Sequence, residues 1–193
     1  ASSIPEEIKK VEMLLVTTPA ISSDQPHLVA LKKIGHQAIK RAKLLGQISK
    51  SKATLAISGT HGKTSTTALL AHIIDGTPQR CNAFIGGVSA EIDSNLYYSP
   101  NAKWNIVEAD EFDRSFHHLH PTHAVITSLD PDHLDVYGSE PNFIEAFKIF
   151  ASQVKEKVII HHSIATTFNN LQNIETYGLE DCSFTHYATD LSQ

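Results

Sequence analysis

The sequence has few cysteines, no long apolar run and no concentration of positive charge. Its 193 residues include two cysteines, Cys81 and Cys182, which excludes a disulfide framework and matches no zinc pattern, so we expect two reduced thiols in a cytoplasmic protein. The 16 basic and 21 acidic side chains leave a net charge of −5. Because no basic block stands out, we expect neither nucleic acid nor an anionic membrane as a partner. No stretch reaches the roughly 18 apolar residues that a membrane-spanning helix needs.

The composition and the order of the apolar segments are typical of a globular α/β protein. Hydrophobic residues make up 41% of the chain and charged residues 19%, which are ordinary fractions for a folded domain. Short apolar runs predict strands at residues 13–18, 37–39, 53–58, 104–107, 123–127 and 158–160. Helical spacing of apolar residues predicts helices at residues 26–34, 41–48, 64–74 and 140–155. The alternation predicts a mostly parallel sheet flanked by helices, whereas residues 162–193 are expected to be irregular.

A polar segment, Ser49-Lys50-Ser51-Lys52, separates two parts of the chain. Before it, the order strand–helix–strand–helix is typical of the end of a parallel-sheet domain. After it, the strands and helices of a larger domain begin. We therefore place a domain boundary between residues 51 and 52, so that residues 1–51 and 52–193 belong to different domains.

A glycine-rich turn between a predicted strand and a predicted helix is the strongest functional signal. The residues from Gly59 to Thr67 read GTHGKTSTT. Glycines let backbone amides approach phosphate oxygens, and the helix N-terminus adds the positive end of its dipole. Lys63 is expected to reach the β- and γ-phosphates of a nucleotide, and the Thr64 hydroxyl to coordinate Mg²⁺. Because Ile57 stands where the general phosphate-binding loop has its first glycine, a solvated glycine-rich turn is the alternative.

Two acidic segments follow later strands. They read EADEFD at residues 108–113 and DPDHLD at residues 130–135. In open parallel sheets, ligands bind at the carboxyl ends of strands. Glu108 is therefore the candidate Mg²⁺ ligand, whereas Glu111 and Asp113 either support that site or are exposed. His133 has three aspartates around it, which suits a metal ligand. A solvated acidic turn and an Asp-Pro turn with a capping histidine are the alternatives.

Four histidines lie close together in the sequence, at positions 117, 118, 120 and 123. Such a cluster can suggest zinc. No cysteine lies nearby, and the spacing fits no structural zinc site. We therefore expect no metal at this cluster.

Three segments together resemble the Mur ligases, the ATP-dependent amide ligases that build the peptide of bacterial peptidoglycan. They read GTHGKTSTT at residues 59–67, EADEFDRSF at 108–116 and DPDHLDVYG at 130–138. The resemblance extends over residues 11–48 and is strongest to the branch that joins L-alanine to UDP-N-acetylmuramate. It implies that residues 1–51 end a Rossmann-like UDP-binding domain and that 52–193 form most of a central ATP-binding domain. The C-terminal amino-acid-binding domain of the family is expected to lie outside this chain.

The resemblance also implies ATP and Mg²⁺ as cofactors. The residues that it assigns to the ATP phosphates are Gly59, Thr60, His61, Gly62, Lys63, Thr64 and Ser65. Thr64 and Glu108 would hold one Mg²⁺ and His133 a second, so that Lys63, Glu108 and His133 are the catalytic side chains. In several Mur ligases a carbamylated lysine on the following helix helps to hold the second metal; Lys148 either corresponds to it or is a solvated helix lysine.

The implied reaction joins L-alanine to UDP-N-acetylmuramate through an acyl phosphate. The isolated segment is expected to be inactive, since it lacks the amino-acid-binding domain. Three alternatives stay open at this point. They are a nucleotide-binding module without ligase activity, another ligase of the Mur or folylpolyglutamate type, and an inert fragment.

Overall fold

An eight-stranded sheet lies at the centre of the protein in the part of the chain described by this computed structural model, residues 4–89, 94–132 and 134–189. The strands are β1 Leu14–Thr17, β2 Gln37–Lys40, β3 Ala53–Ser58, β4 Cys81–Ser89, β5 Ser94–Tyr97, β6 Trp104–Glu108, β7 His123–Ile126, β8 Lys157–His161, β9 Ile174–Leu179 and β10 His186–Ala188. The α-helices are α1 Glu6–Lys9, α2 Pro26–Lys33, α3 Arg41–Ser49, α4 Lys63–Asp75, α5 Leu134–Tyr137 and α6 Glu140–Ser152. Two 3₁₀ segments span Phe112–His118 and His162–Phe168.

The order of strands in the large sheet is β10-β9-β8-β7-β3-β6-β4-β5. Every neighbouring pair is parallel except β4 and β5, which are antiparallel. The prediction of an α/β fold with a mostly parallel sheet is confirmed. Strand β3 lies between β6 and β7, so the residues that follow these three strands share one edge of the sheet.

Two apolar clusters cover the two faces of the sheet, because side chains alternate along each strand. On β3, Ala56 belongs to one cluster and Ile57 to the other. Helix α6 covers the first face, and Phe143, Phe147 and Phe150 are all fully buried there, as the helical spacing predicts. Its N-terminus is capped by the Ser139 hydroxyl, which accepts a hydrogen bond from the Asn142 amide at 3.5 Å.

Strands β1 and β2 form a separate two-stranded parallel sheet. The predicted strand–helix–strand–helix order is confirmed for this part of the chain. Helix α3 then packs, through its last turns, against the part of the chain that forms the large sheet. The buried Ser49 hydroxyl accepts a hydrogen bond from the His120 amide at 3.0 Å, and the Asn105 side-chain amide donates to the Ile48 carbonyl at 3.1 Å. Gly46 lies so close to the His118 carbonyl that a side chain would not fit between them.

The C-terminal part of the chain differs from the sequence-based expectation. Residues 162–193 were expected to be irregular, but β9 and β10 extend the sheet in parallel register, with Ile174 opposite Val158 and His186 opposite Tyr177. The expectation is therefore wrong for residues 174–179 and 186–188. All three residues of β10 are exposed, so they lack the buried apolar alternation by which a strand is recognised. Among the described residues, no helix is both long and apolar enough to span a bilayer.

Candidate functional site

The turn after β3 has a backbone shape that depends on glycine. Gly59 has a φ of +126°, and a Cβ there would lie 2.8 Å from the Ser128 amide nitrogen. Gly62 has a φ of +79° and immediately precedes α4, which has no side-chain cap at its N-terminus. The first amides of α4 therefore remain open to an anion, and the 13-residue helix adds its dipole.

Residues that follow β7 hold this turn in place. The Thr60 hydroxyl donates to the Asp130 carbonyl at 2.7 Å, and the Thr60 amide donates to the Ser128 carbonyl at 3.3 Å. The Ser128 hydroxyl accepts a hydrogen bond from the His61 amide at 3.0 Å. Thr127 donates from its hydroxyl to the carbonyl of His61 at 2.5 Å. The turn is thus fixed from the neighbouring strand as well as by its own glycines.

Glu108, at the end of β6, lies directly against the start of α4. Its Oε1 accepts a hydrogen bond from the Thr64 hydroxyl at 2.9 Å, and its Oε2 accepts one from the Gly86 amide at 2.6 Å. A Cβ on Gly86 would lie 2.8 Å from the Glu108 Cδ, so a side chain at Gly86 would displace the carboxylate. Hydroxyl and carboxylate oxygens are ligands that Mg²⁺ prefers, and Mg²⁺ usually keeps several of its waters. Thr64 and Glu108 therefore fit one Mg²⁺ ion.

Lys63 folds back over the turn. Its ammonium donates to the Gly59 carbonyl at 2.7 Å, to the Thr60 carbonyl at 3.3 Å and to the Glu111 Oε1 at 2.9 Å. The ion pair is well shielded from water, since the Lys63 side chain is 15% exposed and that of Glu111 2%. The ammonium therefore lies within the turn where a phosphate group would bind.

Among the residues that the structure describes, Glu111 is the only charged one that is buried. Its Oε2 has no hydrogen-bond partner among the described residues. Burial raises the pKa of this carboxyl above its ordinary value, and the hydrogen bond from Lys63 acts in the opposite direction. The expectation that Glu111 is exposed is wrong, while the other expectation, that it supports the site, agrees with its contact to Lys63.

Tyr137 fixes the backbone beside Glu111. This side chain is 2% exposed, and its hydroxyl donates a hydrogen bond to the Glu111 carbonyl. The Arg114 guanidinium lies over the Tyr137 ring, 4.9 Å from its centroid. Asp113 and Arg114 both have positive φ angles, 51° and 53°, so the chain makes a sharp turn shortly after Glu111. Asp113 itself is exposed.

The four clustered histidines do not form a common site. The His117 ring hydrogen-bonds to the Ala146 carbonyl at 2.9 Å and stacks on Phe116, and His123 lies 3.3 Å from a Glu156 carboxylate oxygen. Within residues 4–89, 94–132 and 134–189, no three His, Cys, Asp or Glu side chains come together as metal ligands. His133 lies outside the described residues. Lys148 lies on α6, as expected, and is half-buried.

Sequence reasoning missed three residues that shape the site: Gly86, Tyr137 and, in its contact with Lys63, Glu111. Gly86 and Gly87 follow an apolar pair and suggest that a strand ends there, but β4 continues through them, and the sequence gives no indication that β4 lies next to β6. Nothing in the sequence distinguishes the buried Glu111 from its acidic neighbours. Tyr137 lies at the end of the DPDHLDVYG segment and reads as an ordinary core residue.

A cleft of about 360 Å³ opens beside Glu108. Thr64, Gly86 and Glu108 line one side of it, and Arg41 and Leu45 of α3 line the other. Small-molecule sites commonly have volumes of roughly 300–1,000 Å³. The cleft can therefore hold a small ligand against the oxygens that fit Mg²⁺.

This chain is similar to proteins of known function over most of its length. The Mur ligase middle domain family matches residues 57–192. The UDP-N-acetylmuramate–L-alanine ligase of Porphyromonas gingivalis is 38% identical over 185 residues, covering 94% of this chain and 41% of that protein. The enzyme of the same name from Parabacteroides distasonis is 46% identical over 144 residues, covering 75% of this chain and 31% of its own. The chain thus spans about two fifths of the length of the first of these relatives.

Solved structures give the same picture of the fold. The UDP-N-acetylmuramate–alanine ligase of Thermotoga maritima superposes with a TM-score of 0.73 at 25% identity, over 87% of this chain and 39% of that one. A UDP-N-acetylmuramate:L-alanyl-γ-D-glutamyl-meso-diaminopimelate ligase from Neisseria meningitides has a TM-score of 0.72 at 22% identity, over 86% and 58% of the two chains. The second likeness concerns the fold alone.

Proposed function

Because the chain belongs to the Mur ligase family through the middle domain of that family, we propose that it carries the ATP-binding site of an enzyme that joins L-alanine to UDP-N-acetylmuramate. The relatives with that name are 36–46% identical to it. The observation that carries the proposal is the meeting of Lys63, Thr64 and Glu108 at one open helix N-terminus. A cytoplasmic location, where ATP and nucleotide-linked sugars are found, is part of the proposal.

The proposed reaction has two steps. A carboxylate oxygen of UDP-N-acetylmuramate attacks the γ-phosphorus of ATP, the bond to the bridging oxygen breaks, and ADP leaves with that electron pair. The amine nitrogen of L-alanine then attacks the acyl carbon, phosphate leaves, and the nitrogen loses a proton to give the amide. Both steps bring anions together, so the protein contributes mainly by positioning and by compensating charge.

Different residues of this chain bind the phosphates, compensate their charge and hold the metal ion in this proposal. The turn from Gly59 to Ser65 offers backbone amides to the phosphates, and the Lys63 ammonium compensates negative charge on them. Thr64 and Glu108 would hold Mg²⁺, which supplies positive charge next to the phosphate oxygens when it is bound. His133 and Lys148 remain proposals from the sequence for a second metal. Residues 1–51 are proposed as the end of the UDP-binding domain.

The replacement Lys63→Ala tests this function in the full-length protein. We expect ligation to fall by about 10²–10³-fold, because a single preorganised charged donor at the reacting phosphate contributes that much. The measurement is phosphate release from ATP that requires both UDP-N-acetylmuramate and L-alanine. Replacing L-alanine by other amino acids, by a dipeptide or by folate with glutamate in the same assay distinguishes other ligases of this type.

Lys103→Ala is the matched control. Lys103 is exposed and directly precedes β6, so it lies at the other end of this strand from Glu108. We expect wild-type ligation from this variant. Near wild-type ligation by Lys63→Ala would contradict the assignment of the turn. A rate of ATP hydrolysis that does not depend on UDP-N-acetylmuramate or on L-alanine would instead favour a nucleotide-binding module without ligase activity.

A further inference from the structure

The Lys63 ammonium has no free donor in this structure. An ammonium has three N–H groups, and the acceptors are the Gly59 carbonyl, the Thr60 carbonyl and Glu111 Oε1. A phosphate oxygen can therefore bind Lys63 only by replacing one of these acceptors. The Thr60 carbonyl is the most distant of the three, at 3.3 Å.

Glu111 is the acceptor least able to leave. Its side chain is 2% exposed and its second carboxylate oxygen has no partner among the described residues, so it would keep a buried, unpaired charge if Lys63 moved away. Removing one partner of a buried ion pair is strongly destabilising for this reason. The two carbonyls, in contrast, belong to the turn itself, where water or backbone amides can replace the ammonium.

The backbone that carries Glu111 is also restrained. The Tyr137 hydroxyl donates to the Glu111 carbonyl, and the Arg114 amide donates to the same carbonyl at 2.9 Å. Tyr137 is itself packed edge-on against Phe143 of α6, with ring centroids 5.2 Å apart. Glu111 is thus anchored to the apolar core through Tyr137.

We propose that Glu111 is a positioning residue, which stays bound to Lys63 when nucleotide binds and directs the ammonium toward the transferred phosphate while that phosphate replaces a carbonyl of the turn. The inference rests on the proposed function and adds to it a residue that touches neither nucleotide nor metal. Its negative charge also weakens the attraction of Lys63 for polyphosphate. Glu111 therefore favours orientation at some cost in nucleotide affinity.

The replacement Glu111→Gln separates these two effects. The amide keeps the size of the side chain and one carbonyl oxygen, but it removes the charge. We expect the kcat of ligation in the full-length protein to fall by about 10–100-fold, because a small misplacement of a group at the reacting centre has effects of that size. The dissociation constant of ADP, measured by calorimetry, is expected to stay the same or to decrease.

A second readout needs no catalysis. Lysine acetylation in the absence of nucleotide, followed by peptide mass mapping, gives the rate at which Lys63 is modified. We expect Lys63 to react several-fold faster in Glu111→Gln than in wild type, because the ammonium loses its buried partner. Asp113→Asn is the matched control, since it removes one negative charge from the same segment at an exposed position. It should match wild type in kcat, in ADP affinity and in Lys63 labelling.

Three results would overturn the proposal: a kcat of Glu111→Gln equal to that of Asp113→Asn, a parallel loss of ADP affinity and kcat, or unchanged Lys63 labelling. If Glu111→Gln does not fold, Glu111→Asp replaces it, since it keeps the buried charge but shortens its reach. A reduced kcat with unchanged ADP affinity then supports the proposal, and a wild-type kcat overturns it. If wild type itself fails to ligate L-alanine, the proposed function fails, while ADP binding and Lys63 labelling still test the role of Glu111.

Discussion

Two carboxylates three residues apart, Glu108 and Glu111, have opposite surroundings. Glu108 lies at the strand end, is partly exposed and accepts hydrogen bonds from two neutral donors, the Thr64 hydroxyl and the Gly86 amide. Glu111 lies where the chain turns into the 3₁₀ segment, is buried and pairs with a cation. A carboxylate held by neutral donors at a cleft can exchange them for a metal ion. A carboxylate buried against an ammonium keeps its partner.

The position of an acidic residue relative to the end of β6 therefore decides what its carboxylate can bind. Neutral donors leave the full negative charge of Glu108 available to a cation. The charge of Glu111 is compensated inside the protein. Substitutions at the two carboxylates and at their neighbours should therefore have different effects.

The largest effect is expected from Glu108→Gln. The amide can still accept one hydrogen bond from Thr64 or Gly86, but it removes the charge that Mg²⁺ requires. We expect ligation to fall by about 10²–10³-fold, as for loss of a preorganised charge at the reacting centre, and higher Mg²⁺ concentrations to restore part of it. Titration of ligation rate against Mg²⁺ is the measurement. Recovery of ligation at higher Mg²⁺ concentration in Glu111→Gln, but not in Glu108→Gln, would contradict the assignment of Glu108 as the metal ligand.

A smaller effect is expected from Gly86→Ala. The new Cβ would lie 2.5 Å from the Glu108 Oε1, the oxygen that accepts from Thr64, so the carboxylate must shift from its present position. We expect a decrease in ligation of about 10-fold, in line with the displacement of a group at a reacting centre. Gly87→Ala is the matched control, because its Cβ would meet the Thr64 methyl group at an ordinary 3.5 Å. Equal losses from both variants would contradict a specific contact between Gly86 and Glu108.

The smallest effect concerns the pH dependence of stability. Because burial raises the pKa of Glu111 above its ordinary value of 4.5, the folded protein holds this proton more tightly than the unfolded chain. The carboxyl therefore contributes stability below pH 4.5 that is lost as the pH rises through its raised pKa.

Thermal unfolding of the full-length protein at several pH values measures this effect. We expect the unfolding midpoint of wild type, relative to that of Glu111→Gln, to fall as the pH rises from 4.5. Asp113→Asn, at its exposed position, serves as the control for the loss of one charge. A difference between wild type and Glu111→Gln that does not vary with pH would contradict a raised pKa.

Much of the fold follows from local sequence. Strand β3 was predicted with its observed bounds, and the aromatic spacing of α6 placed three phenylalanines in the core. Strands β9 and β10 were missed for a physical reason. β10 is the edge strand and all three of its residues are exposed, so it lacks the apolar alternation. In β9, which lies one strand further in, most residues are only half-buried, and Gly178 has no side chain because the Phe184 ring packs against its backbone.

The candidate site divides in the same way. The roles of Lys63, Thr64 and Glu108 can be predicted from the sequence, because a glycine-rich turn and a strand end each have a local signature. The roles of Gly86 and Glu111 cannot be predicted in this way. That of Gly86 depends on the pairing of β4 with β6, and that of Glu111 on the turn of the chain at Asp113 and Arg114. These are properties of the assembled sheet.

The bonds that tie the turn to the residues after β7 have an energetic consequence. Thr60 and His61 are held by hydrogen bonds to Thr127, Ser128 and Asp130. A phosphate group that enters meets a receptor that is rigid beforehand, so little conformational entropy is lost on association. In a loose loop, part of the binding free energy would be offset by the entropy cost of ordering the loop. In this turn that part can instead compensate the repulsion between the two anionic reactants.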